Sequence, residues 1–345
     1  MKNKKYKNDL TNIIFICYDD RIIRLNAVKY FFLIFVLFIL LYKSNFFLEK
    51  RPFYFDQYQT EIFNIIKEKL KESKCSLMFN NQKEFLNGVI RKYMPKKILE
   101  IGVLMGGSSI IILNSIKDFK NSHLYSIDIN GANWIGNCVK KYFPYLSNKW
   151  TLFKGNIAAN YIEKIGKNID LAIIDTSHFE PGEILDFLMI LPFLKEKAII
   201  IFHDIDHQIT EGFGKEMRNE WAPYIIFNII RGKKFLPSGK GILNKDIGAI
   251  KLEKKQKRFI HDYCRALGGQ WQYIPKEEHI KIIINFFEKY YDKECVTILK
   301  ESLTFNKKFI KNNPKKDYYD KARRKGANKV IINLKNKTFH NITKR

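Results

Sequence analysis

The stretch Lys96–Ser109, KKILEIGVLMGGSS, decides how the rest of the chain is read. Its apolar run Ile98-Leu99-Glu100-Ile101 has the length and content of a buried strand. Gly102 interrupts the run, and Gly106-Gly107 follow at a spacing that turns a strand tightly into a helix. A backbone without Cβ bends sharply and admits a close ligand. Ser108 stands where it caps a helix whose apolar body is Ile110-Ile111-Ile112-Leu113. A strand, a glycine turn and a helix N-terminus in a parallel sheet together make a nucleotide-type site.

Working outward, strands and helices alternate as far as about Asp204. The predicted strands are Lys97–Ile101, Leu124–Asp128, Thr151–Lys154, Leu171–Asp175 and Ala198–Phe202, with helical patterns between most of them, including Pro181–Leu194. This alternation predicts an α/β fold: a parallel sheet with helices on both faces and ligands at the carboxyl ends of the strands. Upstream, residues 56–94 read as helical, with stripes at Ile62, Ile65, Ile66, Leu70 and at Phe85, Leu86, Val89, Ile90. Downstream, Trp221–Ile230 reads as a helix, Ile247–Leu252 as a strand, and Lys254–Leu267 and Glu277–Tyr291 as further helices. Four regions result. Residues 1–50 are a lysine-rich N-terminus with an apolar helix, poorly ordered near Met1. Residues 51–255 are the sheet domain, 256–305 a helical region packed on it, and 306–345 a basic, partly disordered tail.

In 345 residues, 61 Lys and Arg face 35 Asp and Glu, a formal charge of +26. Such a balance suits an anionic partner, whether nucleic acid, lipid surface or acidic glycan. The lysines are spread along the chain rather than gathered in a stripe, which also fits a general compositional bias. The five cysteines (Cys17, Cys75, Cys138, Cys264, Cys295) lack CxxC spacing and suggest neither a disulfide framework nor a zinc site, so reduced thiols are expected. Tyr30–Tyr42 is an uncharged run of 13 residues. That is shorter than the roughly 20 a spanning helix needs. It reads either as a membrane-associated helix or as a buried docking helix. A cytoplasmic location, in contact with the inner face of the membrane on the first of these readings, is the expectation.

Polar residues mark the places where the strand runs stop: Glu100, Asp128, Asp175 and His203-Asp204. Asp128 is placed either to accept hydrogen bonds from a ribose diol or to serve as a turn aspartate. A carboxylate at Glu100 beside the glycine turn disfavours a phosphate and favours a cationic ligand. The turn has Glu-x-Gly-x-x-x-Gly spacing, unlike the dinucleotide fingerprint or a P-loop.

These segments, LEIGVLMGGSS, YSIDIN, AIIDTSHFEPGEILDF and AIIIFHDI, resemble a class I S-adenosylmethionine-dependent methyltransferase over about residues 80–255. In detail they are similar to the branch containing sugar O-methyltransferases of antibiotic and surface-glycan pathways. The resemblance implies a Rossmann-like seven-stranded sheet with its last strand antiparallel, Ile247–Leu252 being one of the two closing strands. It implies that Glu100, Gly102, Gly106 and Ser108 line the methionine and ribose part of S-adenosylmethionine. Asp128 would hold the ribose hydroxyls and Asn156 would lie near the adenine. Asp175 and Asp204, at adjacent strand ends, are the expected ligands of a divalent cation such as Mg²⁺, which prefers carboxylate oxygens. His178 is the expected general base. His203 is read as a ligand, a substrate contact or a packed strand-end residue, and Asp186 as a support for the His178 loop or a pocket residue.

The expected activity is methylation of a sugar hydroxyl on a cell-surface glycan or its precursor, which makes a glycan or other small molecule the substrate and a membrane surface a partner. A nucleic-acid methyltransferase is the alternative suggested by the charge, although no Asn/Asp-Pro-Pro-Tyr motif is present. A non-catalytic glycan-assembly protein that keeps the fold is the other.

Overall fold

The computed structural model describes residues 13–18, 21–26, 64, 66, 68, 70, 75–206, 221–237 and 246–313. The chain divides into two units, residues 1–49 and 50–345. In the first, strands β1 (Ile13–Tyr18) and β2 (Arg21–Asn26) pair antiparallel, from Ile13 opposite Asn26 to Tyr18 opposite Arg21. The sequence reading assigned no strand here, although two β-prone runs flank Asp19-Asp20. The uncharged run at 30–42 lies outside the described residues. Among the described residues no helix is long and apolar enough to cross a membrane.

The second unit is built on the strand first read from its apolar run, β3 (Lys97–Ile101). Its residues alternate between two cores, as a period of two demands. Ile98 joins the cluster that includes Leu86, Ile110 and Val139, while Leu99 and Ile101 join the cluster of Ile162, Phe187 and Phe287. Helix α1 (Asn80–Tyr93) precedes β3, and α2 (Gly107–Ser115) follows it. Then come β4 (His123–Asp128), α3 (Asn137–Tyr142), β5 (Trp150–Lys154), α4 (Ala158–Ile165), β6 (Ile169–Ile174), α5 (Gly182–Ile190) and β7 (Leu194–His203). Helix α6 (Ala222–Ile229) and strands β8 (Gly232–Phe235) and β9 (Ile247–Leu252) close the sheet. Short α7 (Ile260–Arg265), α8 (Glu277–Tyr290) and α9 (Lys293–Asn312) complete the unit.

The seven strands lie in the order β5-β4-β3-β6-β7-β9-β8. β3 to β7 are parallel, and β9 runs antiparallel to both β7 and β8. The expected seven-stranded, Rossmann-like sheet with Ile247–Leu252 as a closing strand is therefore present. Strand order reverses between β3 and β6, which makes their carboxyl ends the switch point where such sheets bind ligands.

Several boundaries differ from the sequence reading. Pro192 stops the helix, which ends at Ile190, and β7 starts at Leu194 rather than Ala198. The helix expected over Lys254–Leu267 is α7 flanked by two 3-10 turns. Helix α9 continues to Asn312, past the start assigned to the tail, because Leu299, Ser302, Leu303, Asn306 and Ile310 form one buried stripe. Cys75 and Cys138 form a disulfide across 63 positions, against the reduced thiols expected. Their spacing carries no motif, and only the packing around the glycine turn brings them together.

Gly102 has φ +90°, and a Cβ there would stand 1.7 Å from the carbonyl oxygen of Asp175. Gly155 has a similar φ of +92°, but its nearest neighbour would be 3.6 Å away. Gly155→Ala is expected to cost about 1–2 kcal/mol through its backbone alone. Gly102→Ala adds overpacking, for a total of about 3 kcal/mol or more. Equilibrium denaturation of both variants measures the difference; equal losses would contradict the close approach.

Candidate active site

The turn between β3 and α2 is held from below. Glu100 is fully buried, and its carboxyl accepts hydrogen bonds from Ser108 Oγ (2.6 Å), Ser109 Oγ (2.7 Å) and Ser126 Oγ (2.6 Å). Burial pushes its pKa up to about 7, although the three hydroxyls pull the other way. Gly106, at φ +94°, turns the chain into α2, which no side chain caps.

Asp128 ends β4 and fastens the same turn from the side. Its Oδ2 accepts from the N–H groups of Val103 (3.0 Å) and Leu104 (3.1 Å), and its Oδ1 from that of Asn130 (2.8 Å). A carboxylate has about four acceptor positions, so about one remains for a ligand. The turn-aspartate and ligand-contact readings are thus compatible.

The ends of β6 and β7 bring acids and histidines together. Asp175 follows β6, anchored by its N–H to Ile101 O at 3.0 Å. Asp204 follows β7 at φ +57°, its N–H bonded to Asp246 O at 2.8 Å. His178 sits at φ +61° on the loop after Asp175. Left-handed backbone at non-glycine residues costs about 1–3 kcal/mol each and clusters where function over-determines the chain. His178 Nε2 is 3.1 Å from Asp204 Oδ2 and 3.8 Å from Asp175 Oδ1, while its Nδ1 is 3.5 Å from Glu183 Oε1. His203 Nδ1 is 2.9 Å from Asp204 Oδ1 and 3.7 Å from Asp175 Oδ2. Burial alone would lower the His203 pKa, but Asp204 and Asp175 reverse this and hold it well above the usual range.

Behind His178 lies a carboxyl cluster. Glu183 Oε1 accepts from the His178 N–H (2.6 Å), and the Thr176 hydroxyl lies within hydrogen-bond distance of both Glu183 Oε1 (3.1 Å) and Asp186 Oδ2 (2.9 Å). Burial and then Glu183 raise Asp186 to about 7, and the same causes raise Glu180 to about 7. The ligand atoms of Asp175, His178 and Asp204 lie within 4.8 Å of one another, close enough to surround one cation.

One cavity of about 940 Å³ joins these parts. Gly102, Ser108, Asp128, Asn156, Asp175, His178, His203, Asp204 and Asp186 all line it. Glu100 and Gly106, expected in its wall, are not lining residues. Glu100 acts from behind by holding Ser108, because its carboxyl is used up on three serines. Asn156 Oδ1 takes the N–H of Ile157, which settles its orientation at the wall.

The sequence reading missed two stretches of the wall. Cys75–Met78 lies against the first turn of α2, where a Cβ on Gly107 would meet Cys75 O at 2.5 Å. Tyr273–Lys276, with Glu278, His279 and Ile283, closes the side opposite from the C-terminal helices. Neither stretch has a motif. Only the tertiary fold places them here.

Residues 99–205 match the family profile described as "Methyltransferase domain". Solved structures similar to the chain include an O-methyltransferase of Bacillus cereus in complex with SAH, at 15% identity over 55% of this chain and 90% of that one, TM-score 0.43. Another is the O-methyltransferase TomG of Streptomyces achromogenes, involved in tomaymycin synthesis and in complex with SAM, at 14% identity over 61% and 95%, TM-score 0.42. A third is the SAH-bound methyltransferase PaMTH1 of Podospora anserina, at 18% identity over 61% and 94%, TM-score 0.42. No curated protein matches the sequence.

The Glu100 carboxyl is raised from an ordinary 4.5 to about 7, so the folded state keeps a proton that the unfolded chain releases. Its contribution to stability therefore falls as pH rises between those two values. Glu100→Gln removes this slope. Between about pH 5 and pH 7.5 the thermal midpoint of the wild type should drop more than that of the variant. Parallel profiles in calorimetry would contradict it.

Proposed function

We propose that this chain binds S-adenosylmethionine in the cavity and methylates an oxygen, the expected acceptor being a sugar hydroxyl of a surface glycan or its precursor. One observation carries the reading: Asp175, His178 and Asp204 converge within 4.8 Å in the wall of the cavity that also contains the glycine turn. The cofactor fits the residues present. Gly102 and Ser108 line the cavity at the glycine turn, where the backbone is open to a ligand. The uncapped start of α2 offers N–H groups to a carboxylate. Asp128 keeps an acceptor position for a ribose hydroxyl, and Asn156 with Ile157 lines the end of the cavity suited to the adenine. Bound there, S-adenosylmethionine supplies a methyl group already activated on a sulfonium.

The chain's remaining task is to align the acceptor oxygen and relieve it of its proton. Asp175 and Asp204, with two carboxylates in one wall of the cavity, suit Mg²⁺. A cation held there would lower the pKa of a coordinated hydroxyl. His178, which lines the cavity between Glu183 and Asp204, is the assigned proton acceptor. Tyr273, Lys276 and His279 face the cavity from the C-terminal side and are the assigned contacts for the acceptor. The excess of lysine and arginine agrees with an anionic or lipid-linked acceptor.

The test combines calorimetry with turnover. S-adenosylmethionine should bind the wild type and Asp175→Ala alike. Methyl incorporation into a polysaccharide extract should fall at least about 100-fold in Asp175→Ala and in His178→Ala. EDTA should suppress it. Absence of cofactor binding would defeat the whole reading, whereas EDTA-insensitive turnover would remove the cation and leave His178 as the base.

A further inference from the structure

A second constellation lies away from the cavity, where α7 meets the start of α9. His261 and Cys264 are three positions apart on α7, and Asp292 and Cys295 are three apart at the cap of α9. This spacing puts both members of each pair on one helix face. His261 Nε2 is 2.7 Å from Asp292 Oδ2. The ligand atoms of His261, Asp292 and Cys295 all lie within 4.8 Å of one another. The Cys295 thiol also hydrogen-bonds with Cys264, which adjoins the group of three. Both cysteines are buried and unbonded to any other cysteine, unlike Cys75 and Cys138.

We propose that His261, Asp292 and Cys295 form a site for a borderline divalent cation, with Zn²⁺ as the ion that fits. One imidazole, one carboxylate and one thiolate are donors that zinc takes, and the Cys264 thiol adjoins the sulfur of Cys295. Thiolates argue against Mg²⁺ and Ca²⁺. The division of labour at Asp292 suits this role. Its Oδ1 accepts the Cys295 N–H at 3.0 Å and caps α9, which leaves Oδ2 on the histidine side. Supporting contacts are in place too. Glu294 Oε2 is 3.6 Å from His261 Nδ1, and Arg265 Nη2 donates to Glu294 Oε1 at 2.8 Å. A carboxylate behind a ligating histidine, itself held by a cation, is a common second layer around zinc. His261 and Asp292 are partly exposed while both sulfurs are buried, so an ion enters from solvent and is closed from within. It must displace protons from the thiols, and its affinity falls as pH falls.

The site joins the helix before α8 to the helix after it. Since α8 carries Glu278, His279 and Ile283 into the cavity wall, the ion would fix that wall without touching any reacting atom.

The full-length protein, purified without chelator or reductant, is analysed for metal and then titrated with Zn²⁺ and Co²⁺ after stripping. One retained equivalent of zinc and a thiolate-to-cobalt charge-transfer band are expected. His261→Ala and Cys295→Ser should each weaken Zn²⁺ binding at least about tenfold. Asp175→Ala should keep the cobalt–thiolate band. His261 is exposed enough that its variant keeps the test open even if Cys295→Ser does not fold. A missing band, a band unchanged in His261→Ala, or a Cys264–Cys295 disulfide found by mass spectrometry would each overturn the proposal.

Discussion

At the junction of β3 and β6, the carbonyl oxygen of Asp175 occupies the place where a side chain at position 102 would begin. The two strands are the central pair of the sheet and the point where strand order reverses. Their carboxyl ends can approach so closely only because Gly102 has no side chain. That approach sets the Asp175 loop directly over the glycine turn. It brings the glycine turn and the acid–histidine group into one cavity rather than two. Asp128 then ties the turn to β4 through two N–H groups, and Glu100 holds the start of α2 from beneath through Ser108. Each contact is local, yet together they give the cavity a floor that does not depend on a ligand.

Charge is distributed over this floor unevenly. Glu100, Glu180 and Asp186 are all driven toward neutrality by burial, with pKa values of about 7. Asp175, less buried, faces the cavity beside His178, His203 and Asp204. The same residue type therefore does two jobs: behind the wall it is a hydrogen-bond fixture, and at the wall it is a potential ligand. Desolvation separates the two roles more than sequence position does.

Much of this was legible in the chain itself. Apolar runs ending in Asp128, Asp175 and Asp204, with glycines after Ile101, are local patterns that survive without any knowledge of tertiary contacts. The strands of the sheet follow from them, and so does the grouping of Asp175, His178 and Asp204. What escaped was non-local. The disulfide partners are 63 positions apart, and the wall built by Tyr273–Ile283 comes from helices whose periodicity says which face is buried but not against what. For Glu100, which the resemblance places at the cofactor, sequence shows proximity to the turn and not the side from which its carboxyl approaches it. The extension of α9 through Asn306 was hidden by its lysines, whose stems flank a buried stripe.

The covalent link between Cys75 and Cys138 divides the cavity in a way that the sheet does not. The ring it closes runs through α1, β3, the glycine turn, α2 and β4, and stops before β6. In the chain-entropy view, a ring of this length restrains the unfolded state by about 4 kcal/mol. That restraint falls on the half of the site that holds Gly102, Ser108 and Asp128. Asp175, His178 and Asp204 lie outside the ring. The protein thus has one half of its cavity fastened by a bond that responds to the thiol–disulfide balance of its surroundings, and the other half fastened by packing and hydrogen bonds.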